Sequence, residues 1–182
     1  AGVEHVPLAD SRSRGFRSII EAEAASKWIQ SRSGDTPWMA TLSFSSPHTP
    51  LQHPPAELLS ADRQQQLLAN CSLSPQNLVN TRHLADAMIE GLDQALAKLM
   101  IETGIGVENA AGELVYNPAS NTLVVVVGDN GSFGPTVKLP FDTARAKGTA
   151  YQTGVWVPLI VAGEQVINPD RNVEHMVNLT DV

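Results

Sequence analysis

The chain has 182 residues, enough for one domain with a sizeable core. Hydrophobic residues make up 42% and charged residues 17%, a composition typical of a globular protein. The net charge of −7 disfavours non-specific binding to nucleic acid or to an anionic membrane surface. No apolar run approaches the length of about 18 residues that a transmembrane helix needs. We therefore expect neither a nucleic acid nor a membrane as a partner.

The first third of the chain predicts a helix, a strand and a proline-rich loop. Residues 1–14 are polar and irregular, which predicts a linker or a disordered end. Apolar residues at helical spacing predict a helix over 16–31. Mixed apolar and hydroxyl residues over 38–45 predict a strand, and the four prolines of 47–55 predict a loop. Residues 56–69 predict one or two helical turns.

The rest of the chain alternates between helical and strand patterns. The longest helix is predicted over 78–103, and a connection or a hairpin-like insert over 106–120. Strands are predicted over 122–127, as a central strand buried on both faces, and over 155–162, with a loop over 131–146 between them. Helices that alternate with buried strands predict an α/β fold, specifically a three-layer α/β/α sandwich with a mostly parallel sheet.

Asp129 and Asn130 follow the valine-rich strand and lie between two glycines. In a parallel α/β sheet, ligands bind in the crevice beyond the carboxyl ends of the strands. The two side-chain oxygens would form part of a site for a hard cation such as calcium or magnesium. Asp-Asn-Gly after a strand is also an ordinary turn sequence, so these residues alone leave both interpretations open.

Two further segments extend this pattern into a family resemblance. One begins Lys147-Gly-Thr-Ala-Tyr and continues to Gly-Val-Trp-Val-Pro158, and the other is Pro37-Trp-Met-Ala-Thr-Leu-Ser-Phe-Ser-Ser-Pro-His-Thr-Pro50. Together with Asp-Asn-Gly, and in this order, they resemble the sulfatase family of the alkaline-phosphatase-like superfamily. The resemblance covers residues 15–182 and implies the middle-to-C-terminal part of a sulfatase catalytic domain, with a partial alkaline-phosphatase-like fold.

The resemblance implies a role for four residues. His48 lies in the Pro-His-x-Pro turn and would contact the sulfate and donate a proton to the leaving group. Lys147 would hold a sulfate oxygen and the leaving-group oxygen. Asp129 and Asn130 would be metal ligands, and an asparagine instead of a histidine favours calcium, or magnesium, over zinc. Without the resemblance, His48 would be a surface turn residue and Lys147 a solvated charge.

Several neighbouring side chains are expected to have other roles. Lys138 and Arg145 compete with Lys147 for the catalytic role but rank below it. We expect His53 to be a surface residue, and Tyr151 and Trp156 to be packing residues.

The nucleophile of sulfatases is a formylglycine made from the cysteine or serine of a Cys/Ser-x-Pro-x-Arg motif. Cys71 lacks the proline two residues on and the arginine four residues on, so we interpret it as a structural thiol. We expect the chain to be a fragment of a longer enzyme and to be inactive alone, because covalent turnover needs a nucleophile. Missing strands would leave a sheet edge open and promote self-association.

The sequence thus predicts a fragment of a hydrolase that cleaves a sulfate ester of a small molecule or glycan. A phosphodiesterase or phosphonate hydrolase of the same superfamily remains an alternative, since no residue here distinguishes sulfur from phosphorus. A non-catalytic module that binds a partner or an anionic glycan is a third interpretation. For the parent, a periplasmic or secreted location is favoured over a cytoplasmic one.

Overall fold

A computed structural model describes residues 4–32, 34, 36–69 and 77–182, and Cys71 lies outside these ranges. The helices are α1 (Arg17–Gln30), α2 (Ala61–Ala69), α3 (Leu78–Glu102) and α4 (Gln152–Val155). The strands are β1 (Gly106–Glu108), β2 (Leu114–Tyr116), β3 (Val124–Val127) and β4 (Leu159–Ala162). Short 3-10 helices lie at Ser11–Arg14, Ala56–Leu58, Pro118–Ser120, Gly134–Thr136, Thr143–Arg145 and Leu179–Asp181. No helix of the described part is long and apolar enough to span a membrane.

The helix α3 is the base on which α1 and α2 pack. The Asn77 side chain caps its start by accepting a hydrogen bond from the Asn80 amide at 3.2 Å. Gly104, with φ of 72°, follows its end, as expected for a C-terminal glycine. The predicted helices over 16–31 and 78–103 are therefore confirmed, within one residue at each end.

Two apolar clusters join the helices to α3. Every fourth residue of α1 is small and buried, from Ser18 through Ala22 to Ser26, which lets this helix approach α3 closely. Ala22 packs there with Ala95 and Leu99 of α3. The second cluster joins α2 and the preceding loop to α3, through Leu59, Leu67, Leu84 and Ala87.

The strands form two separate antiparallel pairs, so the described residues do not show the predicted mostly parallel sheet. β1 and β2 form a hairpin in which Gly106 faces Tyr116, so the hairpin-like insert is confirmed. β3 pairs with β4, from Val124 opposite Ala162 to Val127 opposite Leu159. The residues of β3 alternate between half-buried and exposed, so burial on both faces was a wrong expectation. The described residues thus combine helices with small antiparallel sheets.

The segment predicted as a strand over 38–45 pairs with no strand of the described part. Its Leu42 and Phe44 side chains pack against the apolar cluster between α1 and α3. The apolar side chains of this segment therefore lie in the core, while its backbone joins no sheet of the described part. The strand predicted over 155–162 is also shorter than expected, because Val155 belongs to α4 and the strand begins at Leu159.

Candidate functional site

The turn that carries His48 is held against the first two turns of α1. The Arg17 guanidinium donates hydrogen bonds to the carbonyl oxygens of His48 at 2.8 Å and Pro50 at 2.9 Å. One helical turn later, the Glu21 carboxylate accepts hydrogen bonds from the amide and the hydroxyl of Ser45. The Ser45 carbonyl oxygen in turn accepts a hydrogen bond from the His48 amide at 2.9 Å. The backbone on both sides of His48 is thereby fixed to α1.

The His48 ring has a defined tautomer when it is neutral. Its Nδ1 atom lies 2.8 Å from the carbonyl oxygen of Thr49. A carbonyl oxygen only accepts hydrogen bonds, so Nδ1 carries the proton and Nε2 does not. Nε2 can therefore donate a hydrogen bond only when the ring is an imidazolium.

The loop after β3 is joined to the segment around Lys147 by backbone hydrogen bonds. The Gly131 amide donates to the carbonyl oxygen of Gly154 at 3.0 Å, and the Ser132 amide donates to that of Thr153 at 2.9 Å. The Lys147 amide donates to the Ser132 carbonyl oxygen at 2.8 Å. Two motifs that are separate in the sequence therefore form one structural unit.

Close backbone contact explains why glycines stand at two positions of this unit. A Cβ atom on Gly131 would overlap the carbonyl oxygen of Thr153. A Cβ atom on Gly154 would overlap the carbonyl oxygen of Thr149 and would lie 2.7 Å from that of Ala146. Neither position has room for a side chain, so the sequence can form this unit only with glycine at both.

His48 and Lys147 line the same open cavity, which has a volume of about 370 Å³. Both side chains are exposed to solvent there. The remaining lining residues come from the same turn and from the loop that follows β3: Thr49, Phe133, Gly134, Thr143, Ala144 and Ala146. The structure thus brings together the two residues that the sequence nominated for contact with an anion.

The two other cations of the loop are engaged elsewhere. Lys138 forms an ion pair with Asp86 of α3, with Nζ to carboxylate oxygen distances of 2.8 and 3.0 Å. The Arg145 guanidinium stacks 4.5 Å from the centre of the Tyr151 ring. Within the described ranges, the Lys147 ammonium has no ion-pair or hydrogen-bond partner. This difference supports ranking Lys147 above both competitors.

Asp129 and Asn130 do not line this cavity, although Gly131 joins them to the same unit. Asp129 is exposed and Asn130 is half-buried at the end of β3. Their oxygen donors suit a hard cation, but they supply only two of the about six to eight ligands that calcium takes. The described residues contain no group of three or more His, Cys, Asp or Glu side chains that could hold a metal ion.

The remaining expectations have mixed outcomes. His53 is exposed, which confirms that it is a surface residue. Trp156 is 70% exposed, so its expected role in packing is wrong for the described residues. Arg17 and Glu21 were missed, because contacts between a helix side chain and a distant turn have no pattern in the sequence.

Comparison with known proteins finds a similarity to a sulfatase. The chain is 32% identical over 150 residues, which are 81% of its own length, to a sulfatase of Formosa agariphila. The matched region is 25% of that protein, so the chain spans about a quarter of the length of the relative. No family model matches the chain. No solved structure matches it either. The similarity gives coarse support for a relationship to sulfatases.

Proposed function

We propose that the chain is part of a sulfatase-like hydrolase whose complete form cleaves a sulfate ester of a small molecule or glycan. The observation that carries the proposal is the cavity shared by His48 and Lys147. These residues belong to segments far apart in the sequence, and each lies in a segment that carries the resemblance to sulfatases. The similarity to a sulfatase, over 81% of the chain, supports a sulfatase-like hydrolase.

The two side chains have complementary roles in this proposal. The Lys147 ammonium attracts the negative charge of the sulfate and of the leaving-group oxygen as that charge develops. His48, as an imidazolium, donates from Nε2 to a sulfate oxygen or to the leaving oxygen. The hydrogen bond from Nδ1 to the Thr49 carbonyl oxygen leaves Nε2 as the donor for this role.

Asp129 and Asn130 would hold a calcium ion, or a magnesium ion, together with ligands from the rest of the parent protein. A hard cation bound there would supply positive charge that stabilises the charge of the sulfate. The side-chain oxygens of Asp129 and Asn130 suit such a cation, but two ligands are too few to complete its coordination.

The complete enzyme would use a formylglycine nucleophile and an alkaline-phosphatase-like fold, which includes a mostly parallel sheet. Neither belongs to the described residues of this chain. The chain alone is therefore expected to bind an anion without hydrolysing a sulfate ester, since covalent turnover needs the nucleophile. A periplasmic or secreted location of the parent agrees with this proposal.

The test is a sulfate titration of the 182-residue chain, in which the NMR signals of the His48 ring report binding. We expect Lys147→Gln to weaken sulfate binding about tenfold, which equals about 1.4 kcal/mol. Lys27→Gln is the matched control, because Lys27 is also exposed but lies on α1, outside the cavity lining. Equal affinity of the chain and the Lys147 variant would refute the proposal. Tighter binding of phosphate than of sulfate would favour a phosphoesterase.

A further inference from the structure

We propose that Arg17 is a positioning residue that sets the orientation and the tautomer of the His48 ring. Its guanidinium donates to the carbonyl oxygens of His48 and Pro50, at 2.8 and 2.9 Å. These two carbonyl groups flank that of Thr49, which accepts the hydrogen bond from His48 Nδ1. By holding both neighbours, Arg17 fixes the direction of the Thr49 carbonyl group between them.

An arginine suits this role better than a lysine would. Its planar fork reaches two carbonyl oxygens through the same nitrogen, Nη2, while Nε donates to the Gln52 side-chain oxygen at 3.0 Å. The Gln52 oxygen also accepts a hydrogen bond from the Arg17 amide at 3.3 Å, so the guanidinium is itself held in place. A lysine has the charge but cannot make these contacts in one fixed geometry.

Glu21 does not hold the carbonyl groups that flank Thr49. Its carboxylate holds the amide and hydroxyl of Ser45, which precede the turn. Within the described ranges, Arg17 is the side chain that binds the carbonyl groups on both sides of Thr49. Loss of Arg17 should therefore leave the turn attached to α1 through Ser45, but with a less ordered Thr49 carbonyl group.

The consequence concerns the proton on the ring. When the Thr49 carbonyl group is ordered, the neutral ring keeps its proton on Nδ1. When it is not, the neutral ring is distributed over both tautomers and more ring orientations. The inference rests on the proposed function in one respect: the ring that Arg17 positions is the ring that would contact the sulfate ester.

The experiment compares Arg17→Gln and Arg17→Lys with the unmodified 182-residue chain. Long-range ¹H–¹⁵N NMR reports which ring nitrogen is protonated, and His48→Asn assigns the signal. Arg14→Gln is the control, because the exposed Arg14 donates to the Ala9 carbonyl oxygen and does not contact the turn. Circular dichroism checks that the helices remain folded.

We expect the unmodified chain and Arg14→Gln to show the Nδ1–H form, and both Arg17 variants to lose it in part. Sulfate affinity should fall about two- to tenfold in Arg17→Gln, the size of one net hydrogen bond, because the imidazolium ring is then less well oriented. An unchanged tautomer in both folded Arg17 variants would overturn the inference, even if the chain binds sulfate. A changed tautomer in a chain that binds no sulfate would support the inference and refute the proposed function.

Discussion

Replacing Gly154 by alanine should displace the turn that presents Lys147. The added Cβ atom would overlap the Thr149 carbonyl oxygen and would lie 2.7 Å from the Ala146 carbonyl oxygen and 2.9 Å from Thr149 Oγ1. The two carbonyl groups belong to the backbone on either side of Lys147 and Gly148, so no side-chain rotation can relieve the overlap. The turn has to move away from α4, and the Lys147 side chain moves with it.

The magnitude follows from the cost of overpacking. Forcing extra atoms into a closely packed site typically costs about 1–3 kcal/mol. In a domain of this size, each kcal/mol lowers the melting temperature by about 2–4 °C, so a decrease of about 2–12 °C is expected. Sulfate affinity should fall as well, because Lys147 no longer lies at its place in the cavity.

Gly34→Ala is the matched control for this substitution. A Cβ atom on Gly34 meets no atom within 4 Å, and its φ angle lies outside the region that only glycine favours. Its stability should stay within about 0.5 kcal/mol of the unmodified chain. Thermal unfolding and a sulfate titration of both variants decide the question. A Gly154→Ala chain as stable as the control, with unchanged sulfate affinity, would show that the close backbone contact is not essential.

Two further predictions concern acid stability and association. Glu90→Gln should destabilise the chain by about 0.5–1.5 kcal/mol in urea unfolding at neutral pH. The hydrogen bond from the Ser60 amide, assisted by the Arg63 guanidinium, holds the pKa of Glu90 below its ordinary value of 4.5. The lowered pKa means that this stabilisation is full above pH 4.5 and is lost as the pH falls through the folded-state pKa, so the two chains should converge in acid. A constant difference down to low pH would contradict this. Within the described part, one edge of β3 pairs with β4 and the other edge pairs with no strand. Sedimentation should therefore show concentration-dependent association, which Val125→Lys should reduce. A monomer at high concentration would contradict an open edge.

The helices were predictable because their information is local. A spacing of three and four residues between apolar side chains indicates a helix. The pattern did not show which face is buried, because the buried residues of α1 are the small Ser18, Ala22 and Ser26. The direction of strand pairing is not local. Four consecutive valines over 124–127 indicate a strand, but not whether its partner is parallel or antiparallel. The antiparallel pairing with Leu159–Ala162 is set by the path of the chain between the two strands.

The candidate site shows the same division. Motifs nominated His48 and Lys147, and the structure places both at one cavity. The sequence could not show that Lys138 pairs with Asp86, because that contact joins residues on separate elements. It could not show the role of Arg17 either, since its acceptors are backbone carbonyl groups, which every residue has.

The two candidate catalytic side chains have separate supports, and both supports reach α3. His48 depends on α1, which packs on α3 through Ala22. Lys147 depends on the loop after β3, which contacts α3 through the 3-10 helix Gly134–Thr136 and the ion pair of Lys138 with Asp86. An ion pair at the protein surface contributes about 0–1 kcal/mol, so this one cannot hold the loop in place alone. The nearly fully buried Val137, next to Lys138, adds apolar contact to the same docking. The separation between His48 and Lys147 is therefore set by helix packing on one side and by loop docking on the other, and α3 is the element through which both act.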